Sequence, residues 1–128
     1  MKEVTREMVG IFKPIDIGYD WMDWEIGKKK EITFHHIREV RNGGRYTLKN
    51  GAILTRQAHD YLNYLDSQEH KLYQELNGLF AELNKTMQPP TDDYYEELNG
   101  IYVKRLLYIP TRGKHEFYEE WGNNVCCA

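Results

Sequence analysis

Three successive segments between residues 55 and 109 carry apolar residues at helical spacing. Apolar side chains that recur every three to four residues line one face of a helix, so each segment predicts an amphipathic helix with one buried side. We interpret these faces as packed core and not as a ligand channel. The predicted buried positions are Ala58, Tyr61, Leu62 and Leu65 in the first helix, Leu72, Tyr73, Leu76, Leu79, Phe80 and Leu83 in the second, and Tyr94, Leu98, Ile101 and Tyr102 in the third.

Residues with helix-capping chemistry precede each of these segments. A Ser, Thr or Asp side chain can accept a backbone N–H of the first turn, and acidic residues there interact favourably with the helix dipole. The predicted starts are Thr55 for the first helix, Asp66 with Glu69 at capping-box spacing for the second, which runs to about Lys85, and Thr91 with Asp92 and Asp93 for the third, which ends before Pro110.

Two short strands are predicted before the first helix. Residues 31–37 are rich in β-branched and aromatic side chains, and Ala52-Ile53-Leu54 is a second short apolar run. Between them lies a polar loop that turns at Asn42-Gly43-Gly44, where glycine makes a positive φ inexpensive. The order strand, loop, strand, helix, helix, helix predicts an α+β fold.

The length of 128 residues suits one compact domain. No apolar run approaches the ~20 residues that cross a bilayer, and residues 1–10 lack the apolar core of a secretory signal. We therefore expect a cytoplasmic protein without a membrane segment. The only cysteines, Cys126 and Cys127, predict neither a disulfide framework nor a zinc-binding Cys pair.

The basic residues are concentrated in one stretch of an otherwise acidic chain. The formal net charge is −3, yet residues 28–56 hold eight Lys or Arg against two Glu. Such segregation predicts one basic face that can contact a phosphate backbone, although a solvated charge run, above all at 28–30, would look the same.

The N-terminal segment contains an aromatic cluster between Gly18 and Gly27. Tyr19, Trp21 and Trp24 make this region too aromatic for a disordered tail, so we expect it to pack on the core. Base stacking by Trp21 or Trp24 is the less favoured alternative.

Four polar positions within one strand, loop and helix unit stand out. They are contained in Phe34-His35-His36-Ile37, Asn50-Gly51-Ala52-Ile53-Leu54 and Ala58-His59-Asp60-Tyr61-Leu62-Asn63, with Gly43-Gly44 in the loop. Asn50 follows His36 by fourteen positions, and His59 follows Asn50 by nine. In residue types and intervals this unit resembles the HNH, or ββα-metal, endonuclease family, including its small stand-alone members from phages and prophages.

The resemblance implies a fold and a role for each matched residue. It implies a single HNH-like domain over residues 1–128, with a packing segment at 1–30, a ββα-metal core at 31–66, a helical part at 67–109 and a tail at 110–128. By resemblance, His36 is the general base, His35 and His59 are metal ligands, and Asn63 is a further ligand. Asn50 matches the residue that braces the loop. Because neighbouring strand residues point to opposite faces, His35 and His36 share a site only if the strand ends or twists there.

The implied cofactor is one divalent ion, Mg, Mn, Zn or Ni. An imidazole-rich set binds the softer of these ions readily and Mg poorly. The implied substrate is DNA, contacted through its backbone with low sequence specificity, because no base-reading element is present. The cations expected to contact phosphates are Arg38, Arg41, Arg45, Lys49 and Arg56. For each of them, pairing with acidic helices is the structural alternative.

Two other interpretations remain open at this level. The first is a phage-type inhibitor that keeps an HNH-like fold and binds a host nuclease or defence complex, acting in the bacterial cytoplasm. Its support is the acidic remainder of the chain and the aromatic cluster at 19–24. The second is a purely structural metal held by His35, His59 and Asn63. His70 and His115 lie outside the motif, and we interpret both as surface residues.

Overall fold

The computed structural model describes residues 2–27 and 31–105, which form an α+β fold. The predicted strand, loop, strand and three-helix order is confirmed, and two further helices precede it. Lys28 to Lys30, His115 and the two cysteines lie outside the described residues, as does the predicted end of the last helix. The elements are α1 (Glu3–Phe12), α2 (Pro14–Ile17), β1 (Ile32–His36), β2 (Gly51–Thr55), α3 (Arg56–Gln68), α4 (His70–Thr86) and α5 (Asp92–Arg105).

The two strands form an antiparallel hairpin. Phe34 pairs with Ile53, His35 with Ala52 and His36 with Gly51. The strand bounds differ from the expected ones by one or two residues. The connecting loop contains two short 3₁₀ turns, and Gly43 adopts a φ of 86° there, as the turn prediction required.

Helix α3 follows β2 directly and covers the hairpin. The Thr55 hydroxyl accepts the N–H of Ala58 at 3.1 Å, so the predicted cap is confirmed. The four positions predicted to form its apolar face are all buried, namely Ala58, Tyr61, Leu62 and Leu65.

The boundary between α3 and α4 lies later than predicted. Asp66 does not start α4, because it belongs to α3, and Glu69 caps the new helix without a side-chain hydrogen bond. The Asp66 carboxylate contacts His70 Nδ1 at 3.0 Å instead. An i,i+4 contact across the helix junction thus replaces the expected capping box.

Helices α4 and α5 bury the predicted faces almost completely. All six predicted positions of α4 are buried. In α5, three of the four predicted positions are buried and Ile101 is only partly buried, while Tyr95, which was not predicted, is buried as well. On α4 the buried Asn84 donates to the backbone oxygens of Leu48 and Gly51, both at 2.8 Å, and so fastens the start of β2. No helix within residues 2–27 and 31–105 is long and apolar enough to cross a membrane.

The N-terminal aromatic cluster is part of the core. Trp21 and Trp24 are 0% and 2% exposed, so the packing interpretation is confirmed and base stacking by either side chain is wrong. The buried Asp20 carboxylate accepts the N–H groups of Met22, Trp24 and Thr55 at 2.8–3.0 Å. It thereby ties this segment to the start of α3.

Candidate metal centre

An open pocket of ≈ 360 Å³ lies where β1 ends against α3 and α4. Five of the predicted site residues line it, although they come from two separate stretches of the chain. The lining residues are His35, His36, Glu39, Val40, Arg41, His59, Asn63, Asp66 and Tyr73. Both histidines of the pair reach the pocket because β1 ends at His36.

His35 is the most buried of the three pocket histidines, at 5% exposure. Its Nε2 lies 2.7 Å from Oδ1 of Asn77 on α4. Burial lowers the pKa of His35 to about 4. The ring is therefore neutral near neutral pH, which is the state that can coordinate a metal ion.

His59 lies beside His35 with the two ring centres 5.3 Å apart. Its Nδ1 is 3.0 Å from the hydroxyl of Thr33, which itself donates to the Leu54 carbonyl oxygen at 2.9 Å. Burial, followed by the nearby Arg56, lowers the pKa of His59, so this ring is also neutral near neutral pH.

The two rings are suitably separated to share one divalent ion. Imidazoles bound to one ion through bonds of about 2.1 Å at a tetrahedral angle have ring centres roughly 5 Å apart. Asn63 lies one helical turn beyond His59, and the carboxylates of Glu39 and Asp66 also line the pocket. Within the described residues no three His, Cys, Asp or Glu side chains form a metal-binding group. The predicted ligand set contains two imidazoles and one amide, so it holds only two residues of those types. With three protein ligands, it fits an ion that keeps water molecules as its remaining ligands.

His36 occupies the outer side of the pocket. Its ring packs edge-on against Phe34 at 4.9 Å and Tyr46 at 5.2 Å between ring centres. Partial burial and the nearby Lys2 ammonium lower the pKa of His36. The ring is therefore neutral and can accept a proton.

Tyr46 anchors the loop beside His36. It stacks on Phe34 at 4.2 Å, its hydroxyl lies 3.3 Å from that of Thr5, and Lys2 Nζ sits 4.4 Å from its ring centre. Sequence reasoning missed these contacts, because Thr5 and Tyr46 are brought together by the packing of α1.

Asn50 lies behind the pocket and joins the two ends of the loop. Its Oδ1 accepts the N–H of Arg38 at 2.7 Å, and its Nδ2 donates to the carbonyl oxygens of Arg38 and Arg45, both at 3.0 Å. The side chain thus braces the segment between His36 and the second strand.

The five predicted phosphate contacts fall into two groups. Arg41 pairs with Glu39 and lies 3.9 Å from Asp66, and Arg56 lies 3.9 Å from Asp60. The other three, Arg38, Arg45 and Lys49, are exposed on the loop and form no ion pair with a carboxylate of the described residues. These three are therefore free to contact an anion.

Several residues in or beside the pocket were not predicted as site residues. Thr33 shares a strand face with His35, since alternate strand residues point the same way, and this spacing could have indicated it. The docking of α4 determines the positions of Tyr73 and Asn77 beside the pocket. Tyr73 donates a hydrogen bond of 2.8 Å to Glu39 there. No local pattern predicts them.

Acidification is expected to destabilise the protein through His35. Its pKa is about 4 when folded and 6.5 when exposed, so between these values only the unfolded chain binds the proton. The contribution of His35 to the free energy of unfolding is fully present above pH 6.5 and falls by about 3 kcal/mol as the pH drops to 4.

The matched variant for this prediction is His35→Gln, measured by denaturant unfolding with chelator present. The difference in unfolding free energy between wild type and variant should narrow by about 3 kcal/mol between about pH 7 and pH 4. Burial raises the pKa of Asp20 to about 6, which gives the opposite trend, but Asp20 is common to both proteins. A constant difference would show that His35 titrates normally.

Comparisons with protein-family models, curated proteins and solved structures found no match for this chain. The geometry of the pocket is therefore the basis for the function proposed below.

Proposed function

We propose that the protein is a metal-dependent endonuclease of the HNH type that hydrolyses DNA phosphodiester bonds. The observation that supports this most is the meeting of His35 and His59 in one pocket, with ring centres 5.3 Å apart and His36 beside them. His35 and His59 would hold one divalent ion, and Asn63 would add an amide oxygen from the same helix.

The bound ion, His36 and Asn50 would each have a distinct role in the proposed hydrolysis. A bound divalent ion would stabilise the negative charge that develops on the phosphate and on the leaving oxygen. His36, whose pKa is lowered by partial burial and by Lys2, accepts the proton of the attacking water. Asn50 keeps the loop closed, so that His36 stays aligned with the pocket.

The exposed cations of the loop account for the proposed substrate. Arg38, Arg45 and Lys49 would contact phosphates on either side of the cleaved bond. Arg41, paired with Glu39, would instead shape the pocket wall. Since these contacts are to the backbone, cleavage of low sequence specificity is expected.

Nicking of supercoiled plasmid by the purified protein tests this proposal. We expect conversion to the open circular form with Mn, Ni, Zn or Mg present and none with excess chelator. His59→Ala should lose metal binding and cleavage together, since it removes one of two imidazole ligands. Gln57→Ala, an exposed position on the same helix outside the pocket, should behave like the wild type.

Two results would contradict the nuclease proposal. One is cleavage that persists unchanged in His59→Ala, which would identify a contaminating nuclease. The other is metal binding that raises the melting temperature without any cleavage of DNA, which would identify a structural metal.

An inhibitor that binds a host nuclease is the alternative function. One of its two supports is weakened, because Trp21 and Trp24 of the aromatic cluster are buried. The acidic remainder of the sequence is its other support. Glu75, Glu82 and Glu97 line a groove between α4 and α5 together with Lys104, which pairs with Glu75. Complex formation that survives alanine at His35, His36 and His59 would favour this function.

A further inference from the structure

The proton on His59 can be located from the hydrogen bonds of Thr33. The Thr33 hydroxyl has one hydrogen, and the Leu54 carbonyl oxygen at 2.9 Å can only accept it. The contact of 3.0 Å between Thr33 Oγ1 and His59 Nδ1 therefore requires the imidazole to donate. In the neutral ring, Nδ1 carries the hydrogen and Nε2 keeps its lone pair.

The proton on His35 can be located in the same way from α4. Asn77 Oδ1 lies 2.7 Å from His35 Nε2, and an amide oxygen only accepts, so Nε2 carries the hydrogen. The Tyr73 hydroxyl, one helical turn before Asn77, donates its own hydrogen to Glu39 at 2.8 Å. Burial raises the pKa of Tyr73, whereas the Asn77 side chain lowers it, as an N–H directed at the phenol oxygen would, and this agrees with its oxygen facing His35.

The two neighbouring histidines are thus held as opposite tautomers. His59 is the Nδ1–H form, which leaves Nε2 unprotonated, and His35 is the Nε2–H form, which leaves Nδ1 unprotonated. A hydrogen bond donated by one ring nitrogen also raises the basicity of the other and fixes the plane of the ring. Each ring has a dedicated partner, Thr33 on β1 and Asn77 on α4.

We propose that Thr33 and Asn77 are positioning residues that prepare His59 and His35 as paired metal donors before any ion binds. This inference rests on the proposed function, because the ion is the one that the nuclease would use. It assigns a role to a residue of α4, outside the strand, loop and helix unit on which the resemblance was based.

The tautomers can be observed directly in the metal-free protein. Long-range ¹H–¹⁵N correlation spectra at neutral pH should show His59 as the Nδ1–H tautomer and His35 as the Nε2–H tautomer. The result for His59 is diagnostic, because a free neutral imidazole prefers the Nε2–H form. An Nε2–H form of His59 in the wild type would overturn the proposal.

Thr33→Val removes the hydroxyl and keeps the β-branched shape that suits the strand. We expect His59 to shift toward the Nε2–H tautomer, and the affinity for Zn or Mn to fall about 10–100-fold. Thr33→Ser retains the hydroxyl and should restore both. A folded Thr33→Val with unchanged tautomer and affinity would overturn the role of Thr33.

Asn77→Leu provides the corresponding test on α4. It removes the acceptor of His35 and should also lower metal affinity about 10–100-fold, whereas Gln74→Leu, an exposed site on the same helix, should not. Melting temperatures of the metal-free variants check that the fold is intact. Unchanged affinity in a folded Asn77→Leu would overturn its positioning role.

The outcomes separate this inference from the proposed function. If Thr33→Val and Asn77→Leu weaken metal binding but the wild type cleaves no DNA, the positioning roles stand and the nuclease proposal fails. If the wild type cleaves DNA while both variants keep wild-type affinity and tautomers, the nuclease proposal stands and the positioning roles fail. A wild-type protein that binds no divalent ion would overturn both.

Discussion

Cleavage of DNA by His36→Ala is expected to be about 10²–10⁴-fold slower than cleavage by the wild type. The loss follows because the other two pocket imidazoles would use their unprotonated nitrogens to hold the ion. The remaining nitrogen of each ring is already bonded, in His35 to Asn77 and in His59 to Thr33. The measurement is the single-turnover rate of plasmid nicking at saturating metal.

The fold and the metal site should survive this substitution. His36 is only partly buried at the end of β1, and its main contacts are the edges of the Phe34 and Tyr46 rings. Metal affinity and melting temperature should therefore remain close to those of the wild type.

Added imidazole provides a sharper control for the His36→Ala variant. Because His36 lines an open pocket, imidazole in solution can enter the space that the substitution leaves and accept the proton. Partial rescue of His36→Ala, with no rescue of His59→Ala, would support the role of general base. Equal rates for His36→Ala and the wild type would show that the assignment is wrong.

Gly44→Ala is expected to produce the largest loss of stability, about 3–5 kcal/mol. A Cβ at this position would lie 1.6 Å from the Arg38 carbonyl oxygen and 2.9 Å from that of Glu39. Both neighbours are backbone atoms, so the clash can be relieved only by opening the loop. That movement would break the bond of 2.9 Å from the Gly44 N–H to Glu39 and the bonds that Asn50 donates across the loop.

Gly78→Ala is the matched control for this prediction. Gly78 lies within α4, where a Cβ would meet nothing within 4 Å. Alanine there should stabilise the protein by up to about 1 kcal/mol, because it restricts the unfolded chain and favours the helix. Urea unfolding of both variants measures the difference. Equal stabilities would show that the loop tolerates a side chain at position 44.

Local patterns were sufficient to predict the strands, the three amphipathic helices and the cap at Thr55. Apolar spacing reports which face of an element is buried, and that information lies within a few consecutive residues. The same patterns failed at the junction of α3 and α4. There, Asp66 and Glu69 had the spacing of a capping box, but α3 continued past Asp66. The helix α1 was also missed.

The candidate site was predictable in part for the same reason. His35, His36, Asn50 and His59 all lie within one hairpin and helix, so their intervals along the chain nearly determine their arrangement in space. Whether His35 and His36 could share a pocket depended on where the strand ended. The structure ends it at His36.

The amino-acid order alone therefore accounts for which histidines meet, whereas the docking of α4 and α1 accounts for the contacts that hold His35 and the loop beside His36. Asn77 contacts His35 from 42 residues away, and Thr5 contacts Tyr46 from 41 residues away. Such contacts arise when apolar faces pack, because close packing sets the relative position of two helices to within a fraction of the length of a hydrogen bond. The spacing of residues within a single segment does not predict that relative position.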